Sequence, residues 1–267
     1  MGVGASTPAD ATGPSESLKL TVLGSAGSHP GVGRLCSGYL VETAATSVLL
    51  DAGNGATANL QRFVPLNELD AVAISHRHVD HCIDLIGVFY ALRFDPGFTT
   101  RIPLFAPDEV YETLTGLLSD DSAMAFDDVF DHIRVAAGDS VEVGDLDLRF
   151  AHSEHSTPAV SMRVEANGAS LVYSGDTSGG PALVEIAHQA QLLLCEATWA
   201  GDAKQYPAGI HLTATQAAQV ATEAQVERLV LTHIAGGTDR DQVRREAEAA
   251  FDGPVFLADD LDVYRLP

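Results

Sequence analysis

The stretch that decides the fold reads AVAISHRHVDH and runs from Ala71 to His81. Its first four residues are apolar and predict a buried strand. Its last six residues hold three imidazoles and one carboxylate, which are ligand types that zinc prefers. The alternative is a solvated loop that carries histidines by chance, but no packing role needs so many polar groups at the end of a strand. The stretch therefore predicts a metal site directly after a strand.

The side chains in this stretch supply only part of a two-metal site. His76 and His78 lie two residues apart in a loop, so their rings can point to one side and hold one cation. Asp80 and His81 can turn toward a second cation. Four side chains cannot complete two tetrahedral or five-coordinate sites, so further ligands are required. The candidates stand near the ends of later predicted strands: His152, His155, Asp176, His211 and His233.

The order of apolar and polar segments predicts one domain over residues 18–267, in the mixed α+β (α/β) class. Strands are expected over Leu18–Leu23, Gly38–Glu42, Ser47–Leu50, Asp70–Ser75, Ile102–Ala106, Ile133–Ala136, Ser140–Val143, Leu146–His152, Ser161–Glu165, Leu171–Tyr173, Leu192–Cys195 and Leu229–Leu231, with two more at the end of the chain. Helices are expected over Ala56–Phe63, Ile83–Arg93, Asp108–Leu118, Leu183–His188, Thr213–Ala224 and Arg240–Ala250. Two sheets with helices in each half predict a four-layer αββα sandwich of two mixed β-sheets with helices on the outer faces.

Composition limits the class of protein. The 267 residues are 46% apolar, enough for one sizeable core, and no apolar run approaches the roughly 20 residues of a membrane span. Residues 1–17 are rich in small residues and contain no Lys or Arg, so they lack the basic start of a secretory signal. We expect these residues to form a disordered tail, and we expect a cytoplasmic protein with no membrane contact.

The charge argues against nucleic-acid polymers as substrates. The chain carries 37 acidic and 15 basic residues, a formal net charge of −22, and such a surface repels phosphate backbones. A solvated face suited to high salt is the simplest reading of this charge.

Cys36, Cys82 and Cys195 are odd in number and far apart, so they predict no disulfide framework. A metal role for Cys82 stays possible, but a small buried side chain is favoured.

The motifs together resemble the metallo-β-lactamase superfamily. They are His76-x-His78-x-Asp80-His81, His155-Ser156-Thr157-Pro158, Ser174-Gly175-Asp176-Thr177 and Leu231-Thr232-His233. The resemblance covers residues 18–267 and implies two divalent metal ions, zinc first and manganese or iron as alternatives, in a groove between two sheets. It implies a first site of His76, His78 and His155, a second site of Asp80, His81 and His233, and Asp176 as the bridge between them.

One ligand position has two candidates. His152 and His155 both follow the same predicted strand. Pro158 and Arg163 stand three and eight residues after His155, as they do in the ribonuclease Z branch, so His155 is preferred. His29, His132 and His188 lie outside the motifs and are expected at the surface.

Two further motifs resemble the ribonuclease Z branch: Cys195-Glu196-Ala197-Thr198 and His211-Leu212-Thr213-Ala214. The opening loop, Leu23 to Pro30, resembles it as well. The resemblance implies that Glu196 and His211 pair beside the metals, with the histidine facing the scissile phosphate. Taken singly, His211 could be a residue before a helix and Glu196 a surface carboxylate.

Three departures from the branch narrow the function. Only the twenty residues 156–175 separate His155 from Asp176, so the long basic arm that holds transfer RNA in ribonuclease Z has no room. The shorter form resembles the cyclic-nucleotide phosphodiesterases of the branch. Asp84 replaces a glycine common in the family and bears on backbone shape. Arg77 places a cation among the ligands, directed to solvent or to an anionic substrate.

The resemblance thus implies a dinuclear metal hydrolase, with a phosphodiesterase for small substrates such as 3′,5′-cyclic nucleotides as the leading hypothesis. A hydroxide shared by the metals would attack phosphorus, Asp80 would accept a proton, and His211, oriented by Glu196, would protonate the leaving group. The alternative enzyme acts on a lactone, thioester or β-lactam with the same metals. A non-catalytic metal-binding scaffold is the third hypothesis. A homodimer is expected from the general frequency of twofold assemblies.

Overall fold

The computed structural model describes residues 18–267. The tail predicted for residues 1–17 lies outside the described residues. The strands, in chain order, are β1 Leu18–Gly24, β2 Ala26–Gly27, β3 Gly38–Glu42, β4 Ser47–Ala52, β5 Ala71–Ala73, β6 Ile102–Ala106, β7 Phe130–Arg134, β8 Ser140–Val143, β9 Leu146–His152, β10 Val160–Ala166, β11 Ala169–Tyr173, β12 Leu192–Glu196, β13 Leu229–Thr232, β14 Ile234–Ala235, β15 Val255–Leu257 and β16 Val263–Leu266.

The helices are α1 Ala56–Leu60, α2 Val79–Cys82, α3 Asp84–Arg93, α4 Asp108–Gly116, α5 Asp120–Met124, α6 Pro181–Ala187, α7 Ala214–Glu223 and α8 Arg240–Glu248. Short 3-10 turns cover Leu66–Glu68, Phe126–Asp128 and Ala203–Gln205. Within residues 18–267, each helix is too short or too polar to cross a lipid bilayer.

The strands form two seven-stranded sheets. The succession of antiparallel and parallel pairings is the same in both when the second sheet is read from β8. The first runs β16-β1-β3-β4-β5-β6-β7, and the second runs β15-β13-β12-β11-β10-β9-β8. A small parallel pair, β2 with β14, links the two halves. Each large sheet is mixed: β4, β5, β6 and β7 pair in parallel, as do β11, β12, β13 and β15, and the remaining neighbours are antiparallel.

Three apolar layers show how the sheets stack. One cluster lies between the sheets and contains Leu20, Val48 and Leu50 from the first sheet with Met162 from the second. A second cluster, which includes Leu49, packs the outer face of the first sheet against its helices. A third does the same for the second sheet. Because alternate residues of β4 enter different clusters, both faces of the strand are buried, and the predicted four-layer αββα sandwich is confirmed.

The sequence did not predict helix α5 or the short strands β2 and β14, and two further segments differ from expectation. The strand expected over Ile133–Ala136 is β7, Phe130–Arg134, because its pairing with β6 begins at Ile102 opposite Phe130. The prediction placed the strand too late in the chain because it took the apolar Ile133 as a buried position. In the structure Ile133 is 38% exposed. The segment after His78, expected as a loop, contains the one-turn helix α2, which is too short to give a periodic signal.

Candidate metal centre

The candidate site lies at one edge of the sandwich, where parallel strands of both sheets end. His76 follows β5, Asp176 follows β11, Glu196 is the last residue of β12 and His233 follows β13. The carboxyl ends of neighbouring parallel strands meet at one edge of a sheet, which is where ligands bind in such sheets. Stacking the two sheets therefore brings polar side chains that are distant in sequence to a common groove.

A first group contains His76, His78, His155 and Asp176, with one ligand atom of each within 4.8 Å of the others. His78 Nδ1 lies 2.9 Å from His76 Nε2 and 3.1 Å from His155 Nε2. Asp176 Oδ2 lies 3.7 Å from His76 Nε2 and 3.9 Å from His155 Nε2. Three ring nitrogens and a carboxylate oxygen thus converge on one point.

A second group contains Asp80, His81 and His233. His233 Nε2 lies 3.2 Å from His81 Nε2 and 3.2 Å from Asp80 Oδ2. The other oxygen of Asp176, Oδ1, lies 3.2 Å from His81 Nε2 and 3.3 Å from His233 Nε2. Asp176 therefore stands between the two groups and turns one oxygen toward each.

The donor set fits two divalent metal ions. Asp176 is 2% exposed, and its Oδ1 makes no hydrogen bond despite the two ring nitrogens nearby. A buried carboxylate oxygen without a partner costs free energy unless a cation satisfies it. Imidazole nitrogen and carboxylate oxygen suit zinc, manganese and iron alike, so these groups are suited to bind metal without fixing its identity.

The outward nitrogens of the rings are held by neighbouring groups. Nδ1 of His155 lies 2.8 Å from the Ile210 carbonyl, and Nδ1 of His233 lies 2.9 Å from the Thr198 hydroxyl. Nδ1 of His76 likewise meets a serine hydroxyl at 3.0 Å. With the proton on Nδ1, each Nε2 presents a lone pair to the groove, as metal binding requires. His78 is the exception, because its Nδ1 faces the groove.

Asp51 is a buried residue of the site that sequence reasoning did not select. Its Oδ2 accepts hydrogen bonds from His81 Nδ1 at 2.7 Å, from the Tyr173 hydroxyl at 2.6 Å and from the Ser75 hydroxyl at 2.8 Å, while its Oδ1 accepts from the Ser75 amide at 2.7 Å. Asp51 is the next-to-last residue of β4 and adopts a φ of 56°, which few residues other than glycine tolerate. The available signal was a carboxylate directly after an apolar strand, the pattern that also marks Asp176.

The local charges fix the protonation of the site. Burial and the neighbouring His81 lower the pKa of His76 well below its usual value, so its ring is neutral. Burial alone would lower the pKa of His81, but Asp176 and Asp51 outweigh it and raise that pKa well above the usual value. Burial opposes ionisation of Asp176, yet the adjacent histidines hold its pKa well below the usual range. The metal-free cluster is therefore a network of carboxylates and at least one cationic ring.

Glu196 and His211 form a pair beside the two groups. His211 Nδ1 lies 2.9 Å from Glu196 Oε1 and 3.8 Å from Asp176 Oδ2. Glu196 is fully buried, and it also accepts hydrogen bonds from the Thr177 amide at 2.8 Å and the Thr198 hydroxyl at 2.7 Å. An acceptor satisfied in this way orients the ring, and donation from Nδ1 leaves Nε2 of His211 as the nitrogen available to a ligand.

The structure separates the remaining candidates from both groups. His152 is exposed at the end of β9 and belongs to neither group. Arg77 is exposed, and Cys82 is buried with its thiol directed at the His78 carbonyl 3.4 Å away. Asp84 accepts three hydrogen bonds from the start of α1, two from backbone amides and one from the Thr57 hydroxyl. The aspartate thus shapes the backbone behind the site.

Gly53 allows the turn after β4 to pack closely against helix α2. A Cβ on Gly53 would lie 1.9 Å from the Asp80 carbonyl oxygen and 2.7 Å from Cys36 Cβ. Real Cβ atoms do not approach backbone so closely, so only glycine lets the turn after β4 pack against α2.

Comparisons with known proteins agree with the fold. The family described as Beta-lactamase superfamily domain matches residues 46–234. The chain is 38% identical to the uncharacterized protein Rv1339 of Mycobacterium tuberculosis over 90% of this chain and 89% of that protein. It is 30% identical to ribonuclease Z of Methanopyrus kandleri over 92% of this chain and 97% of that protein.

A solved structure has the same fold. The metallo-beta-lactamase fold protein YhfI of Bacillus subtilis superposes with a TM-score of 0.82 at 26% identity, covering 92% of this chain and 99% of that one. By sequence the same Bacillus protein, described as a probable metallo-hydrolase, is 28% identical over 90% of this chain. The resemblance stated from the motifs is confirmed: the chain belongs to the β-lactamase superfamily and is a metal-dependent hydrolase.

Proposed function

We propose that the protein is a phosphodiesterase for small substrates, of which 3′,5′-cyclic nucleotides are the leading class. The observation that carries the proposal is the Glu196–His211 pair at 2.9 Å beside Asp176. Hydrolysis of a phosphodiester of ribose expels an alkoxide, and that leaving group benefits from a proton donor. Burial lowers the pKa of His211, but the hydrogen bond and charge of Glu196 outweigh it and raise the pKa. The Glu196 carboxylate thus favours the protonated form of His211.

The other residues have distinct proposed roles. His76, His78 and His155 would hold one metal, Asp80, His81 and His233 the other, and Asp176 both. Two such cations lower the pKa of a shared water and neutralise charge that develops on the phosphoryl oxygens. Asp80 is ionised, since His233 and His81 overcome its burial and lower its pKa. It can accept a proton from water, although the low pKa makes it a weak base.

The segment between the ligands favours a small substrate. Between His155 and Asp176 the chain forms the hairpin of β10 and β11, whose tight turn contains Asn167 with a φ of 51° and Gly168 with a φ of 87°. This hairpin is an integral part of the second sheet and offers no arm that could hold a polynucleotide. The net charge of −22 adds long-range repulsion of nucleic acid.

A substrate panel tests the proposal. Protein loaded with zinc or manganese should hydrolyse bis-p-nitrophenyl phosphate and cyclic AMP, and it should leave nitrocefin and a simple lactone intact. His211→Ala should slow cyclic AMP hydrolysis by about a hundredfold or more and bis-p-nitrophenyl phosphate hydrolysis far less, because p-nitrophenolate leaves without a proton. Activity on nitrocefin or the lactone alone would favour the carboxylic-substrate enzyme and reject the phosphodiesterase.

We also propose a homodimer formed by the outer face of α3 and α5. Tyr90, Phe94 and Met124 are 39%, 72% and 74% exposed, and the Tyr90 and Phe94 rings stack 6.3 Å apart. Docking of two copies about a twofold axis would cover these exposed apolar side chains.

Sedimentation measurements test the dimer. Phe94→Glu should raise the dimer dissociation constant by at least about tenfold, while Phe256→Glu, at a 40% exposed position on β15, should not change it. A wild-type protein that sediments as a monomer at high concentration would reject the proposal.

A further inference from the structure

An aromatic pair lies directly against His211. The rings of Trp199 and Tyr206 stack 4.5 Å apart with an angle of 6° between their planes. The Trp199 ring stands 5.2 Å from the His211 ring at an angle of 89°. On its other side His211 meets His155 at 5.3 Å and His233 at 5.4 Å. The imidazole of His211 thus lies between an indole and the rings of two predicted metal ligands.

The backbone around Trp199 is tied to the segment that carries His211. The Trp199 amide donates to the Leu212 carbonyl at 3.2 Å, and the Ala214 amide donates to the Trp199 carbonyl at 3.0 Å. The Tyr206 hydroxyl donates to the Ala200 carbonyl at 2.7 Å and closes the intervening loop. The Trp199 backbone is therefore anchored beside the start of α7, and the stacked Tyr206 ring packs on the indole.

One hydrogen bond does not fix an imidazole ring. The contact between His211 Nδ1 and Glu196 Oε1 sets one point of the ring, but the ring can still tilt about the line that joins these two atoms. Such a tilt would move Nε2, the nitrogen that would give its proton to the leaving group. The perpendicular indole restricts the tilt from one side, and perpendicular aromatic contacts are a favoured arrangement.

We infer that Trp199, supported by Tyr206, is a positioning residue that holds the His211 ring in the orientation needed for proton donation. The inference rests on the proposed function, because it concerns the same histidine. Loss of Trp199 should lower kcat for substrates with poor leaving groups and change KM little. Loss of an aromatic contact of this kind corresponds to about a tenfold decrease in kcat.

Two aryl phosphodiesters separate the proton-donating step from the rest of the reaction. Trp199→Leu should slow diphenyl phosphate hydrolysis about tenfold and bis-p-nitrophenyl phosphate hydrolysis less than about twofold. Trp199→Phe should recover most of the lost rate, because a phenyl ring can restore part of the contact. If Trp199→Leu does not fold, Tyr206→Leu removes the support of the indole and should show the same selectivity with a smaller loss.

A double-mutant cycle tests whether Trp199 acts through His211. In the His211→Ala background, Trp199→Leu should have no further effect on diphenyl phosphate hydrolysis. An additive loss, or equal slowing of both substrates by Trp199→Leu, would overturn the inference while leaving the proposed function intact. Equal slowing of both substrates by His211→Ala would instead overturn the proposed acid role of His211.

Fluorescence supplies a readout that does not depend on turnover. Trp199 is the only tryptophan of the chain, so emission reports its surroundings alone. In metal-free protein, His211→Ala should change the emission spectrum, and the control His188→Ala at the end of α6 should not. Identical spectra for wild type and His211→Ala would show that the indole does not sense the histidine and would contradict the contact.

Discussion

Replacing Asp51 with asparagine should selectively weaken metal binding by the second group of ligands. Asp51 Oδ2 accepts from His81 Nδ1 at 2.7 Å, and an asparagine amide group at that position would donate instead. This favours the His81 tautomer that carries its proton on Nε2. Nε2 faces Asp176 Oδ1 at 3.2 Å, so a proton there blocks the atom that would bind the metal. The opposite amide orientation would place the NH₂ group against the Ser75 amide, which now lies 2.7 Å from Oδ1.

The size of the effect follows from these contacts. Loss of a carboxylate that orients a metal-binding histidine costs about 10- to 100-fold in metal affinity, or roughly 1.4–2.7 kcal/mol. The metal-free protein should lose about 3 kcal/mol of unfolding free energy, because several hydrogen bonds to a buried charge are broken. Such a loss leaves a typical domain folded at 25 °C.

Zinc competition with a chromophoric chelator measures the affinity, and urea unfolding of metal-free protein measures stability. Tyr173→Phe is the matched control, since it removes one hydrogen bond to the same oxygen, 2.6 Å long, and leaves the histidine contact intact. The control should lose about 1 kcal/mol of stability and bind zinc within about threefold of wild type. Two zinc ions bound to Asp51→Asn with wild-type affinity would refute the reasoning.

Three further predictions concern the support of the site. Gly53→Ala should destabilise the protein by more than about 3 kcal/mol, because its Cβ would lie 1.9 Å from the Asp80 carbonyl oxygen. Gly87→Ala on α3 has open space around its Cβ and should be neutral or stabilising. Urea unfolding of both variants measures the difference. Asp84→Ala removes three hydrogen bonds to the start of α1 and should cost about 1–2 kcal/mol in the same assay while the folded variant keeps its zinc affinity. Burial opposes a charge on His81, but buried carboxylates raise its pKa above the usual value, so zinc must displace a proton from it. Zinc affinity should therefore rise with pH above about 6.5, with proton release seen by calorimetry in buffers of different ionisation enthalpy; pH-independent binding would contradict this.

The sequence alone was enough to predict that the proposed ligands lie together in one groove. Each of them follows an apolar strand, and parallel strands end at a common edge, so strand order and residue type together located the groove. The choice of His155 over His152 came from the resemblance, and the structure places His155 in the first group and His152 at the surface. The roles of these residues as ligands remain predictions.

Other features depend on contacts that local pattern does not encode. Asp51 is joined to His81, thirty positions away, and to Tyr173, 122 positions away, and neither link leaves a signal near Asp51 itself. The start of β7 was misplaced because pairing with β6, and not the apolar side chain of Ile133, sets its bounds. The contact of Trp199 with His211 likewise arises only when the loop between them folds back.

The central claim is that seven side chains from both sheets hold two metal ions in one groove. The most direct measurement is a crystal structure of zinc-loaded protein with anomalous diffraction data collected on both sides of the zinc absorption edge. The account predicts two anomalous peaks, one beside His76, His78 and His155 and one beside Asp80, His81 and His233, with Asp176 next to both. No peak in the groove, or a single peak with either group of histidines turned away, would contradict it.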